Sequence, residues 1–131
     1  MKALFKYYGP AILWASFVLI MCSIDLGGIS KASIFFPGFD KLAHCGFFFV
    51  LVIFCCTGLI RQQSRKAISY KSIIIITAIA VLYGGLIELL QLTIFTWRSG
   101  EWADLFADAV GASMGAFGTI ITVKAMNYVK E

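Results

Sequence analysis

Four long apolar runs, at residues 7–24, 42–60, 72–97 and 105–123, occupy most of this chain and limit its fold more than any other feature. A helix needs about 20 predominantly apolar residues to cross a hydrocarbon layer about 30 Å thick, and each run is near that length. Lipid offers the backbone no hydrogen-bonding partners, so a continuous run crosses as a helix; the apolar/polar alternation of a membrane barrel is absent. Composition agrees, with 60% hydrophobic residues, 14% charged residues and a mean hydropathy of +0.89. The expected fold is all-α, an integral membrane bundle of four transmembrane helices at about 7–24, 42–60, 72–95 and 105–123, forming a single domain over residues 1–131.

The flanks of the runs carry the orientation. Lys2, Lys6, Arg61, Arg65, Lys66, Lys71, Lys124 and Lys130 fall on one side, and only Lys31, Lys41 and Arg98 on the other. Basic residues concentrate on the cytoplasmic side, so both termini are expected inside. The same rule accounts for the basic balance, pI ≈ 9.0. No aromatic-interleaved basic stretch points to nucleic acid. The first run has no small-x-small site after its core and reads as a retained helix, with Pro10 near its start where a helix tolerates proline.

Polar chemistry gathers at the outward ends of the runs. Glu88 lies about 10 Å of helix before Phe95, while His44 and Asp108 each sit one turn, about 6 Å, inside Asp40 and Asp104. All three therefore reach a common depth. Asp40 and His44 share one helix face, Gly84, Glu88 and Gln91 a second, and Asp104, Asp108, Gly111 and Gly115 a third. The Gly111-x-x-x-Gly115 spacing thins the fourth helix for close approach by a neighbour, and Gly84-Gly85 thins the third.

Two readings compete for this layer. Buried polar residues staple membrane helices together, at about 0.6 kcal/mol per contact. A staple does not explain the excess of carboxylates, however: Asp40, Glu88, Glu101, Asp104 and Asp108 outnumber Lys41 and Arg98, and protons or another cation must balance them. As a functional site, His44 supplies a general acid or base, because imidazole ordinarily titrates near physiological pH, and Glu88 and Asp108 orient it or share its proton. Asp40, Lys41, Gln91, Arg98 and Asp104 line the site as binding groups, with Arg98 suited to bidentate phosphate contact or to headgroup anchoring beside Trp97 and Trp102. Whether such a site binds or catalyses is left open.

The cofactor stays unknown: one histidine with several carboxylates could hold a divalent ion, but there is no paired-histidine motif, and no metal ligand set is assigned. Ser99 and Ser113 lack an activating context for nucleophilic attack. Cys22, Cys45, Cys55 and Cys56 lie in apolar runs and read as packing residues, with Cys22 and Cys45 the one pair placed near the outer face for a bridge. The aromatic stretch ending at Phe39 (Phe35-Phe36-Pro37-Gly38-Phe39) reads as an interfacial anchor or a lid.

In order and spacing, Asp40-Lys41-x-x-His44, Glu88-x-x-Gln91, Arg98 and Asp104-x-x-x-Asp108-x-x-Gly111-x-x-x-Gly115 resemble the VanZ-like family of small bacterial membrane proteins. The resemblance spans residues from about 40 to 118 and departs from the family at Asp108, where many members carry Asn. It implies a multi-pass protein of the bacterial cytoplasmic membrane, in a family whose founding member is associated with resistance to glycopeptide antibiotics, notably teicoplanin. The polar layer itself, as a functional pocket, suits a membrane lipid headgroup, a lipid-linked wall precursor or an amphipathic antibiotic.

Overall fold

The computed structural model describes residues 2–24, 38–63, 67–97 and 100–128. These form four helices, α1 (Lys2–Ser23), α2 (Phe39–Gln63), α3 (Tyr70–Thr93) and α4 (Trp102–Tyr128), and no strand occurs among the described residues. All four are long and apolar enough to cross a membrane, so the chain is an all-α, multi-pass membrane bundle.

The helices differ from the apolar runs mainly at their ends. α1 begins at Lys2 rather than 7, α2 covers Phe39–Gln63 rather than 42–60, and α4 extends to Tyr128 rather than 123. Hydropathy measures the stretch that meets hydrocarbon, whereas backbone hydrogen bonding continues into the interface, where lysine stems snorkel. Pro10 is consequently interior to α1, not at its first turn. Its missing N–H leaves the Lys6 carbonyl without the usual helical donor, an arrangement tolerated in spanning helices by neighbouring groups and local adjustment. α3 stops at Thr93, short of 95, because the amides of Ile94 and Phe95 both turn back to the Leu90 carbonyl at 2.8 Å. At its start, the Ser69 hydroxyl caps the helix by accepting from the Ser72 amide at 3.1 Å. Before α2, Gly38 adopts φ +88, a conformation costly for other residues, and its carbonyl accepts the Leu42 amide at 3.1 Å.

Within the bundle α2 is the hub. It packs on α1, α3 and most extensively on α4, while the described backbones of α1 and α4 make no close approach to each other. Each helix buries one stripe at helical spacing: Ala11, Val18 and Cys22 on α1, and His44, Phe48, Leu51/Val52 and Cys56 on α2. Val18, Phe48, Val52, Ile87 and Ala112 fill the middle. The rest of the surface is apolar, with Leu13, Leu82 and Phe106 broadly exposed, as lipid-facing positions should be. Lipid is as apolar as leucine, so close packing and polar ties must hold the helices together. Trp14 Nε1 donates to the Phe47 carbonyl at 2.9 Å and the Tyr83 hydroxyl to the Ala15 carbonyl at 2.7 Å, fastening α1 to α2 and α3.

Each stripe is apolar at mid-bundle and turns polar at one end. At that end α1 and α3 finish while α2 and α4 begin, bringing Cys22, His44, Glu88, Gln91, Asp104 and Asp108 into one buried layer.

Candidate functional site

The layer is centred on His44. Its Nδ1 lies 2.9 Å from Asp108 Oδ1, linking α2 to α4, and both side chains are essentially inaccessible. The other ring nitrogen, Nε2, faces Cys22 Sγ of α1 at 3.9 Å. Glu88 approaches from α3: a ring nitrogen of His44 and one carboxylate oxygen each of Glu88 and Asp108 lie within 4.8 Å of one another. Oε2 of Glu88 accepts the Glu101 amide at 2.8 Å, fixing the carboxylate to the segment that enters α4.

Glycines make this approach geometrically feasible. A Cβ on Gly111 would overlap the Cys45 carbonyl oxygen, and one on Gly115 would lie 2.6 Å from that of Phe49, so α4 rests directly on the α2 backbone. A Cβ on Gly84 would overlap Asp108 Oδ2. Gly100 similarly lets the connection to α4 settle over the end of α3, where a Cβ would come within 2.9 Å of the Glu88 carbonyl. Gly118, by contrast, faces open space and takes no part.

Towards the aqueous end a second tier is charged. Lys41 Nζ donates to Glu101 Oε2 at 2.9 Å and forms an ion pair with Asp104 Oδ1 at 3.3 Å. Asp104 is buried, whereas Asp40 is exposed; one oxygen of each lies within 4.8 Å of a His44 nitrogen. Asp40 and Asp104 occupy the first turns of α2 and α4, where the helix dipole favours negative charge.

The end of α1 closes the other flank. The last carbonyls of a helix lack intrahelical donors, and two of them find side chains here. Gln91 Nε2 donates to the Cys22 carbonyl and Trp97 Nε1 to the Ser23 carbonyl, both at 2.9 Å. Glu88 Oε1, Gln91 Oε1 and Asp108 Oδ2 are also buried, but they have no hydrogen-bond donor from the protein among the described residues. Leaving a buried polar group unsatisfied costs about 1–3 kcal/mol, more for a charged group. Three such oxygens in one layer therefore set it apart from a network optimised only for stability.

The structure thus brings together His44, Glu88, Gln91 and Asp108, with Lys41, Asp104 and Asp40 above them. Arg98 and Ser99 lie outside the described residues, as do residues 35–37 of the aromatic loop. Ser113 is exposed and donates to the Ala109 carbonyl of its own helix at 2.8 Å. Cys22 and Cys45 are not bridged; all four cysteines are free thiols.

Three contributors are absent from the sequence-derived site: Cys22, the Glu101 amide and Trp97. Cys22 had a signal, since it sits near the end of the first run, close to the depth of His44. The Glu101 amide had none, because every non-proline residue carries the same group. No family model matches the chain, and neither a curated protein nor a solved structure does.

Proposed function

We propose that the chain is a VanZ-like membrane protein of the bacterial envelope. It alters susceptibility to glycopeptide or lipopeptide antibiotics by engaging the polar head of a surface lipid or lipid-linked wall precursor at the layer around His44. The observation that carries this reading is the convergence of a histidine and two carboxylates in a buried layer that retains unpaired acceptor oxygens. Ionisable groups within a membrane are costly and characteristically serve ligands, ions or proton transfer. The motif order resembling VanZ-like proteins supports the antibiotic context, and the eight-to-three basic asymmetry supports an outward-facing site with both termini cytoplasmic.

A second reading, acid/base catalysis on a lipid headgroup, is favoured by the His44–Asp108 contact, because a carboxylate on one ring nitrogen orients an imidazole for proton transfer through the other. Comparison of the envelope lipids and drug susceptibilities of cells with and without the protein separates the two. Binding predicts changed susceptibility and drug uptake with unchanged lipid species, whereas catalysis predicts a new or missing headgroup species. Unchanged susceptibility and unchanged lipids would refute both.

A further inference from the structure

We infer that His44, Glu88 and Asp108 form a binding site for a single divalent transition-metal ion of the zinc or manganese class, held between α2, α3 and α4. The sequence offers a lone histidine with several carboxylates but no short spacing that joins them, since the donors come from three separate helices. In the structure one donor atom from each residue lies within 4.8 Å of the other two, and all three side chains are buried. Donors sharing an ion at about 2.1 Å must stand about 3–3.5 Å apart. His44 Nδ1 and Asp108 Oδ1, at 2.9 Å, are already close to that separation, and a Glu88 oxygen lies within 4.8 Å of both residues' donors.

The second observation is independent of that spacing. Glu88 is 6% exposed and Asp108 is 0% exposed, yet Glu88 Oε1 and Asp108 Oδ2 have no donor from the protein among the described residues. A divalent ion bound to two carboxylates and a neutral imidazole cancels both negative charges, removing the main cost of burying them. One nitrogen and two oxygen donors suit zinc or manganese better than magnesium or calcium, which favour oxygen donors throughout. With Nδ1 on the ion, Nε2–H points to Cys22 Sγ, a neighbour that fixes the ring tautomer. The adjacent set Asp40, His44 and Asp104 is less suited, because the Lys41 ammonium already stands 3.3 Å from Asp104 Oδ1. Three protein ligands leave a position on the ion open to a ligand's oxygen. The inference goes beyond the lipid reading and stands independently of it, since it concerns the purified protein without lipid precursor or drug.

The test uses the full chain in detergent, loaded with Zn²⁺ or Mn²⁺, freed of excess ion, and assayed for metal content and melting temperature. The wild type should retain a stoichiometric ion. Its melting temperature should fall by several degrees on chelation, recovering with Zn²⁺ or Mn²⁺ but not with Mg²⁺. Glu88→Gln and Asp108→Asn should each bind at least tenfold more weakly. Pulsed electron paramagnetic resonance of the Mn²⁺-loaded wild type should show coupling to an imidazole nitrogen, which identifies the ligand even where a variant fails to fold. Retention of only a trace of ion by the folded wild type would overturn the proposal, as would undiminished retention in both variants or the absence of nitrogen coupling. None of these measurements reads drug susceptibility, so failure here leaves the envelope function standing.

Discussion

At the scale of single residues, the site depends on side chains held from more than one direction. Asp108 is pinned through Oδ1 by His44, while Oδ2 lies against the space that Gly84 leaves empty. Gly84→Ala would put a Cβ onto Oδ2 and within 3.2 Å of the Asp108 Cβ, so rotation of the carboxylate alone cannot relieve the overlap. We expect this substitution to destabilise the bundle by about 1–3 kcal/mol, as overpacking commonly does. In an Asp108→Ala background its cost should shrink, because the atoms it strikes are gone. Detergent melting of the four proteins checks this, and an equal cost in both backgrounds would show that the clash lies elsewhere. Much of the site's residue content was legible beforehand: charge is expensive in hydrocarbon, so His44, Glu88 and Asp108 stand out from their runs, and helical rise gives them one depth. The sequence did not reveal which polar atoms would be paired, because Glu88 Oε2 accepts a backbone amide at Glu101 and Gln91 Nε2 donates to an α1-terminal carbonyl distant in the chain.

At the scale of elements, the pairing of α2 with α4 does the most to build the site. Gly111 and Gly115 bring the two backbones together, and His44 and Asp108 meet one turn nearer the helix starts. Gly111→Leu and Gly115→Leu should each lower folded yield and melting temperature, since added atoms would strike the carbonyls of Cys45 and Phe49 rather than movable side chains. Gly118→Ala meets nothing within 4 Å and should be neutral or mildly stabilising, given alanine's better helix propensity. Equal tolerance at all three positions would mean that this face of α4 looks towards lipid. The spacing of these glycines reveals a thin face, but not the helix that uses it. Neighbours are chosen by the three-dimensional fit of whole stripes, which is why the α2–α4 contact emerges only in the structure. Helix ends were less legible than helix middles for a related reason: hydropathy falls at the interface before the hydrogen bonding does.

At the scale of the whole molecule, the chain is a lipid-facing bundle with one polar end. Eight basic residues against three predict that a periplasm-active reporter inserted after Gln63 is silent and one inserted after Gly100 is active. The reverse pattern would turn the site towards the cytoplasm and end the surface-lipid reading. On the proposed function, this polar end serves a ligand rather than holding the helices together. Glu88→Gln bears on it most directly, because the amide preserves shape, can still accept the Glu101 amide, and removes a charge from a layer crowded with carboxylates. Drug susceptibility and detergent melting should be measured on the same variant. We expect the susceptibility phenotype to be lost while the melting temperature, compared between the chelator-treated proteins, stays at or above that of the wild type. A Glu88→Gln protein that is stably folded and retains the full phenotype would show that the layer only holds the helices together.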